Sequence, residues 1–276
     1  MMSKNYKEGF PHFIGMEKRL NTKGQVGIFV IVALVIIGVI LVIFMYPSLK
    51  SGIQGPLNPE SYLKDCITPG VKTAIDALGK HSGYSNLTEG YFVYDGEKIK
   101  YLCYVSGYYK TCVNQEPMLT SHFEMELSKA LQPKAQECVN ALVDEYQSRG
   151  YNVVLGSVSS ESSVMLNKIK ISFNSPMSIS KEGVQTYKGF DIYVDSQMSE
   201  LLSIAENVIE YESTLGDSET TYYMSYYPNL RMEKIKLEDG TKVYKLSNIV
   251  TKEEFIFASR SLSWPPGLAL DQVGKA

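Results

Sequence analysis

The sequence predicts an α+β protein: an N-terminal transmembrane helix followed by a mixed helix and antiparallel-sheet ectodomain. Three observations predict it. One long uncharged apolar run stands near the N-terminus, two Asp-Gly steps separate strand-like segments, and several apolar stripes recur at helical spacing. In 276 residues, 21% charged and 11% aromatic residues argue against wholesale disorder. A net charge of −3 excludes a generally basic nucleic-acid binder, so no nucleic-acid partner is expected.

The expected order is a cytoplasmic basic leader over 1–24, a membrane span over 25–46 and a linker over 47–59. A Cys-containing α+β subdomain over 60–150 and a second α+β subdomain over 151–276 follow. These two form one domain or two, with Gly150 as the seam. Gln25 to Tyr46 carries no charge. As a helix it spans about 33 Å, matching a bilayer core of about 30 Å, and the lipid bilayer is its expected partner. Lys4, Lys7, Lys18, Arg19 and Lys23 precede it against Glu8 and Glu17. That bias places the N-terminus in the cytoplasm and the bulk outside a plasma membrane as a single-pass protein. A cleaved secretory signal would need a small-residue site, which Met45-Tyr46-Pro47-Ser48 does not offer. Met16 is a second candidate start.

Pro47 to Pro59 reads as a Gly/Pro-punctuated linker. Ser61 to Lys80 then predicts a helix, interrupted or restarted at Pro69-Gly70, with Leu63, Ile67, Val71, Ile75 and Leu78 on one face. Tyr91–Tyr94, Asp95-Gly96 and Lys98–Val105 predict a hairpin, with Ile99, Tyr101, Cys103 and Val105 as its core face. A turn near Ser106-Gly107 returns the chain through Tyr109 to Val113. From Glu116-Pro117 a helix carries Leu119, Phe123, Leu127 and Leu131. Pro133 is expected to open a new one with Cys138, Leu142 and Tyr146, ended by Gly150. Residues 169–173 and 190–194 predict strands. Met198, Leu201, Leu202, Ala205, Val208 and Ile209 form the cleanest amphipathic stripe. Met232–Leu237 and Val243–Leu246 flank Asp239-Gly240 as a second hairpin, and a last strand runs near Phe255 to Ser259.

Four cysteines, all after the apolar run, suggest two disulfides in an oxidising compartment: Cys103 with Cys112, and Cys66 with Cys138. Buried free thiols are the plainer alternative. A metal site is poorer, because no C-x-x-C spacing or histidine pattern supports one. No cofactor is expected either. Asn86-Leu87-Thr88 is a glycosylation sequon.

No set of residues assembles into a catalytic motif. His81 reads as a helix-end residue and His122 as a helix-surface one. Ser61 and Ser178 open S-x-x-K patterns without the companion motifs, and Ser61 has a sufficient role as a helix cap. Glu124/Glu126 and Glu253/Glu254 read as solvated faces. The tyrosines Tyr222, Tyr223, Tyr226 and Tyr227 are the first candidate contact surface, for a protein or glycan partner.

Lys23-Gly24-Gln25 before an apolar run resembles the leader junction of archaeal type IV pilin-like proteins, the class III signal peptides. The resemblance implies cleavage between Gly24 and Gln25; it covers Lys18 to about Phe44, and Phe29 stands where many such proteins carry an acidic residue. The wider pattern, through SYLKDCI, QECVNALVDEY, KIKISFNSPMSI and GFDIYVDSQMSELLSIAENVI, is similar to a family of single-span archaeal surface proteins without an assigned activity. The resulting expectation is a membrane-anchored extracytoplasmic protein with a structural or interaction role at the cell envelope. The alternatives are a pilin-like filament subunit processed after Gly24, and an envelope enzyme using a serine such as Ser61.

Overall fold

A computed structural model describes residues 22–45 and 57–265, with side chains of only 29–41 in the first stretch. Residues 22–45 form helix α1 (Thr22–Met45), which belongs to a compact unit separate from the one that begins at Leu57. The expected transmembrane helix over 25–46 is corrected. Among the described residues no helix is long and apolar enough to cross a membrane. The leader before Thr22, Met16, the linker from 47 to 56 and the tail from 266 lie outside the described residues. Gly24 and Gln25 are helical in backbone.

The second unit is α+β. Helix α2 (Pro59–Lys80) starts at Asn58, whose side chain accepts from the Glu60 and Ser61 amides. The cap is therefore Asn58 rather than Ser61, whose own N–H is one of the groups capped. The hairpin β1 (Tyr91–Tyr94) and β2 (Glu97–Tyr104) turns at Asp95 and Gly96, both at positive φ as a two-residue turn of this hand requires. Strand β3 (Val113–Asn114) returns against Cys103 and Tyr104.

Helix α3 (Leu119–Ser148) is one continuous helix through Pro133, and α2 likewise runs through Pro69. The expected breaks at Pro69 and Pro133 are corrected. An interior proline costs about 3 kcal/mol, but burial of one large aliphatic side chain returns about 1.5–3 kcal/mol. Val71, Ile75 and Leu78 beyond Pro69, and Cys138, Val139 and Leu142 beyond Pro133, are all buried on an unbroken stripe. The two helices pack together, and a hypothetical Cβ on Gly70 would lie 3.1 Å from the Lys134 side chain.

Between α3 and the next helix lie six strands, β4 (Asn152–Leu155), β5 (Ser159–Met165), β6 (Lys168–Asn174), β7 (Met177–Ser180), β8 (Val184–Tyr187) and β9 (Phe190–Asp195). They form two three-stranded antiparallel sheets, β4-β7-β8 and β5-β6-β9. Helices α4 (Met198–Thr214) and α5 (Thr220–Tyr226) precede β10 (Leu230–Lys236), β11 (Thr241–Asn248) and β12 (Glu254–Arg260). These complete a third sheet in the order β1-β2-β12-β11-β10, with β3 on β2. Its β2–β12 pair is parallel, so this sheet is mixed rather than the purely antiparallel one expected.

One core runs from Leu63 in α2 to Phe257 in β12 and takes in side chains from every helix of the unit and all three sheets. Ile99, Val243 and Ala258 form a smaller cluster of their own. Leu102 and Cys103 join the main core and Ile99 the smaller one, so the simple inside-outside alternation expected for β2 is corrected. The pairing with β12 shifts register between Ala258 and Ser259, which breaks the period of two that face assignments rest on.

Strand β5 has a sheet neighbour on one side only, and α3 covers the other. The amides of Ser160, Ser162 and Val164 donate to Gln132 Oε1, Ser128 Oγ and Glu124 Oε1 at 2.9, 2.8 and 2.7 Å. Gln132 Nε2 in turn donates to the Val158 carbonyl at 3.0 Å. Four helical residues rise about 6.0 Å and two strand residues about 6.6 Å, so the two periods nearly match over this length. Glu124 is thus a strand cap. Glu126 is buried, accepting from the Ser85 amide and hydroxyl and from Lys129. The expectation of a solvated Glu124/Glu126 face is corrected.

Candidate functional site

The most elaborate polar construction sits where the end of α4, the β10–β11 hairpin and the exit of β12 meet. The apolar stripe of α4 continues from Val208 and Ile209 to Glu212, which helical spacing places on the buried face. Its carboxylate is fully buried. Across β11, Lys242, Tyr244 and Leu246 share a face by strand alternation, and Lys242 pairs with Ser259 of β12. The chain therefore brings an acid from a helix and a base from a strand to one buried point.

Lys242 Nζ donates to Glu212 Oε2 at 2.7 Å and Oε1 at 3.0 Å, and also to the Gly216 carbonyl. The Tyr244 hydroxyl donates to Glu212 Oε1, the Ser259 hydroxyl to Oε2 at 2.9 Å and the Ser218 amide to Oε1 at 3.2 Å. Burial, and then the adjacent Glu212 carboxylate, push the Tyr244 hydroxyl well above its ordinary range and keep it a donor. Ser261 Oγ donates to the Glu212 carbonyl and accepts from the Cys112 amide, tying the β3 turn to the same network.

Above this floor lies a groove of about 600 Å³, whose walls include Asp217, Lys236, Glu238, Ser263 and Trp264. Asp217 accepts from Lys234 and Lys242 through Oδ1 at 3.1 and 3.2 Å, and from Lys236 through Oδ2 at 3.0 Å. Burial pushes its carboxyl up, but the three ammonium groups outweigh that and hold it down at about 2. Trp264 is 54% exposed, and Tyr109 meets it edge-on with ring centroids 5.0 Å apart. Gly240, at φ +85°, is required at the hairpin turn, and a Cβ there would also fall 2.2 Å from the Ser263 side chain.

Of the expected tyrosine surface, Tyr222 and Tyr226 are exposed on α5 with rings 4.9 Å apart, and Tyr211 of α4 adds a third exposed ring within electrostatic reach. Tyr223 is buried and Tyr227 packs against the core, so these two leave the proposed surface. A helical period puts positions 222 and 226 on one side and turns Tyr223 inward.

The cysteines pair as expected. Cys66–Cys138 joins α2 to α3 with Cα atoms 5.8 Å apart, Cys103–Cys112 closes the β2–β3 turn at 5.3 Å, and no cysteine is free. Asn86 is exposed between α2 and β1. His81 sits at the end of α2, with Nδ1 2.9 Å from the Ala77 carbonyl and Nε2 3.1 Å from Glu97. His122 is mostly covered rather than on the surface, with its ring centroid 4.1 Å from that of Tyr84 and Nδ1 3.6 Å from Glu116.

Ser61 is exposed in the first turn of α2. Ser178 lies in β7 and Lys181 just beyond it, where a three-residue step is not a helical turn; Lys181 Nζ bonds the Arg149 carbonyl instead. Among the described residues no group of three or more His, Cys, Asp or Glu side chains is placed to hold a metal ion. The groove was missed in the sequence because its parts lie in three distant segments. The extension of the α4 stripe onto Glu212 was the readable signal. Set against family models, curated proteins and solved structures, the chain matches none.

Proposed function

We propose that this is an extracytoplasmic interaction protein of the cell envelope, a rigid disulfide-stapled body that presents tyrosine rings to a protein partner. The observation that carries this reading is the closure of both cysteine pairs, one across two core helices and one beside the polar network. Structural disulfides persist in oxidising compartments, outside the cytoplasm. The contact role rests on Tyr211, Tyr222 and Tyr226, which expose large rings at low entropic cost. The buried charges of Glu212 and Lys242 are mutually satisfied, which suits a supporting role better than a catalytic one.

Two measurements test it. In intact cells, a membrane-impermeant amine label is expected to mark exposed lysines such as Lys64 and Lys72; labelling only after lysis would refute the location. Purified fluorescent protein is expected to bind intact cells of its source, with Tyr222→Ala/Tyr226→Ala reducing binding at least about tenfold, or 1.4 kcal/mol. Unchanged binding would refute the tyrosine face.

A further inference from the structure

We propose that the groove beside Trp264 is a binding site for a neutral oligosaccharide. The proposal extends the interaction reading to a second surface and a different ligand class. It does not depend on the tyrosine face.

The wall supplies the first argument. Trp264 and Tyr109 are each 54% exposed and meet edge-on, so each ring restrains the other. The Tyr109 amide donates to the Ser263 carbonyl at 3.0 Å and the Leu262 amide to the Lys110 carbonyl at 2.8 Å. The Cys103–Cys112 disulfide closes the segment that carries Tyr109. The flat ring of Trp264 lines the groove, and Tyr109 braces it; such a surface suits the C–H face of a sugar ring, and its rigidity leaves little ordering cost for binding.

The floor and rim supply the second. Ser263 is only 2% exposed, lines the groove, and its hydroxyl oxygen has no hydrogen-bond partner among the described residues. Asp217 and Glu238 offer acceptors and Lys236 a donor along the same groove. A sugar hydroxyl is donor and acceptor at once, so one ligand class satisfies all of these groups. A volume of about 600 Å³ falls within the usual range for small-molecule sites.

Charge decides which sugar. Lys242 is neutralised by Glu212, and Asp217 takes the ammonium groups of Lys234 and Lys236. Glu238 adds a carboxylate at the rim. Among the described residues these three ammonium groups face three carboxylates, Glu212, Asp217 and Glu238, so no net positive charge remains there to recruit a carboxylate or sulfate.

Trp264 is the only tryptophan in the sequence, so its emission reports this groove and no other place. The full chain is titrated with maltotriose, mannotriose and N,N′-diacetylchitobiose as neutral probes, and with trigalacturonic acid as the acidic one. A saturable change in Trp264 emission is expected with at least one neutral probe and none with the acidic one. By calorimetry, Trp264→Ala is expected to weaken binding at least tenfold and Ser263→Ala about threefold. Tyr222→Ala/Tyr226→Ala is expected to leave sugar binding unchanged. Trp264 lies on the surface, and unfolding curves of each variant verify that it folds. An unmoved spectrum with every neutral probe, tighter binding of the acidic probe, or a folded Trp264→Ala variant that binds as the parent does would each overturn the proposal. Unchanged cell binding of the Tyr222→Ala/Tyr226→Ala variant, with sugar binding intact, would refute only the tyrosine face.

Discussion

Replacing Lys242 by methionine keeps most of the side-chain volume and removes the one charge that faces Glu212 within the core. The Lys242 and Glu212 side chains are 8% and 0% exposed. In the variant the Glu212 carboxylate keeps the Tyr244 and Ser259 hydroxyls and the Ser218 amide, but no counter-charge. Leaving one partner of a buried ion pair alone costs about 3–5 kcal/mol. The retained hydrogen bonds place the expected loss at the lower end, about 3 kcal/mol. Adding Glu212→Gln removes the stranded charge while keeping an acceptor for Tyr244 and Ser259, so the double variant is expected to lose only about 1–2 kcal/mol. Urea unfolding of the oxidised protein, with slopes compared between variants, reads these differences directly. Glu212→Gln alone leaves Lys242 its Asp217 partner at 3.2 Å and is expected to cost about 1.5 kcal/mol, so the cycle would show a coupling of about 3 kcal/mol between the two positions. A Lys242→Met cost below about 1 kcal/mol, or a double variant less stable than the single one, would refute the view that charge compensation holds this point together.

Further expectations concern staples, close contacts and acid. Cys66 and Cys138 are 72 residues apart and Cys103 and Cys112 nine apart. Chain entropy then gives about 4 kcal/mol for the first bridge and about 2.6 kcal/mol for the second, so paired serine substitutions should rank in that order in urea. A Cβ on Gly79 would lie 2.0 Å from the Glu254 carbonyl oxygen. Gly79→Ala is therefore expected to destabilise by about 1–3 kcal/mol despite the better helix propensity of alanine, and a stabilised variant would contradict that contact. Burial pushes the Glu126 carboxyl up, but hydrogen bonds from Lys129 and Ser85 outweigh it and hold it at about 2. A folded value below the unfolded one means that the stability it supplies is present above about pH 4.5 and lost as pH falls toward 2. Glu126→Gln should flatten that part of the urea midpoint-pH curve; an unchanged slope would contradict the assignment.

Local patterns were legible in proportion to how local their causes are. The Asp-Gly hairpins, the α4 stripe and the buried faces of α2 and α3 follow from turn geometry and helical period, and all are present. Pro69 and Pro133 misled because the penalty of a proline is local while the burial that offsets it comes from the facing helix. Strand β5, SSESSVM, offers little β-propensity or apolar alternation, and its order derives from Glu124, Ser128 and Gln132 some thirty to forty residues earlier. In the site, half of the tyrosine cluster was readable once positions 222 and 226 fell on one helical face. The groove was not, because Asp217, Lys242 and Trp264 come from three separate segments that meet only in the folded chain. The apolar run over 25–46 is the plainest correction, since hydropathy alone carried that expectation.

The polar stripe of α3 also bears on how copies of this protein avoid one another. An uncovered strand edge is a template for a second chain, and β5 would present alternate amides at a regular spacing. By occupying those amides with side chains set one helical turn apart, α3 removes the template while β5 stays soluble on its serine-rich outer face. Loss of Glu124 or Gln132 would therefore surface first as concentration-dependent self-association, before any measurable change in the fold of a single molecule.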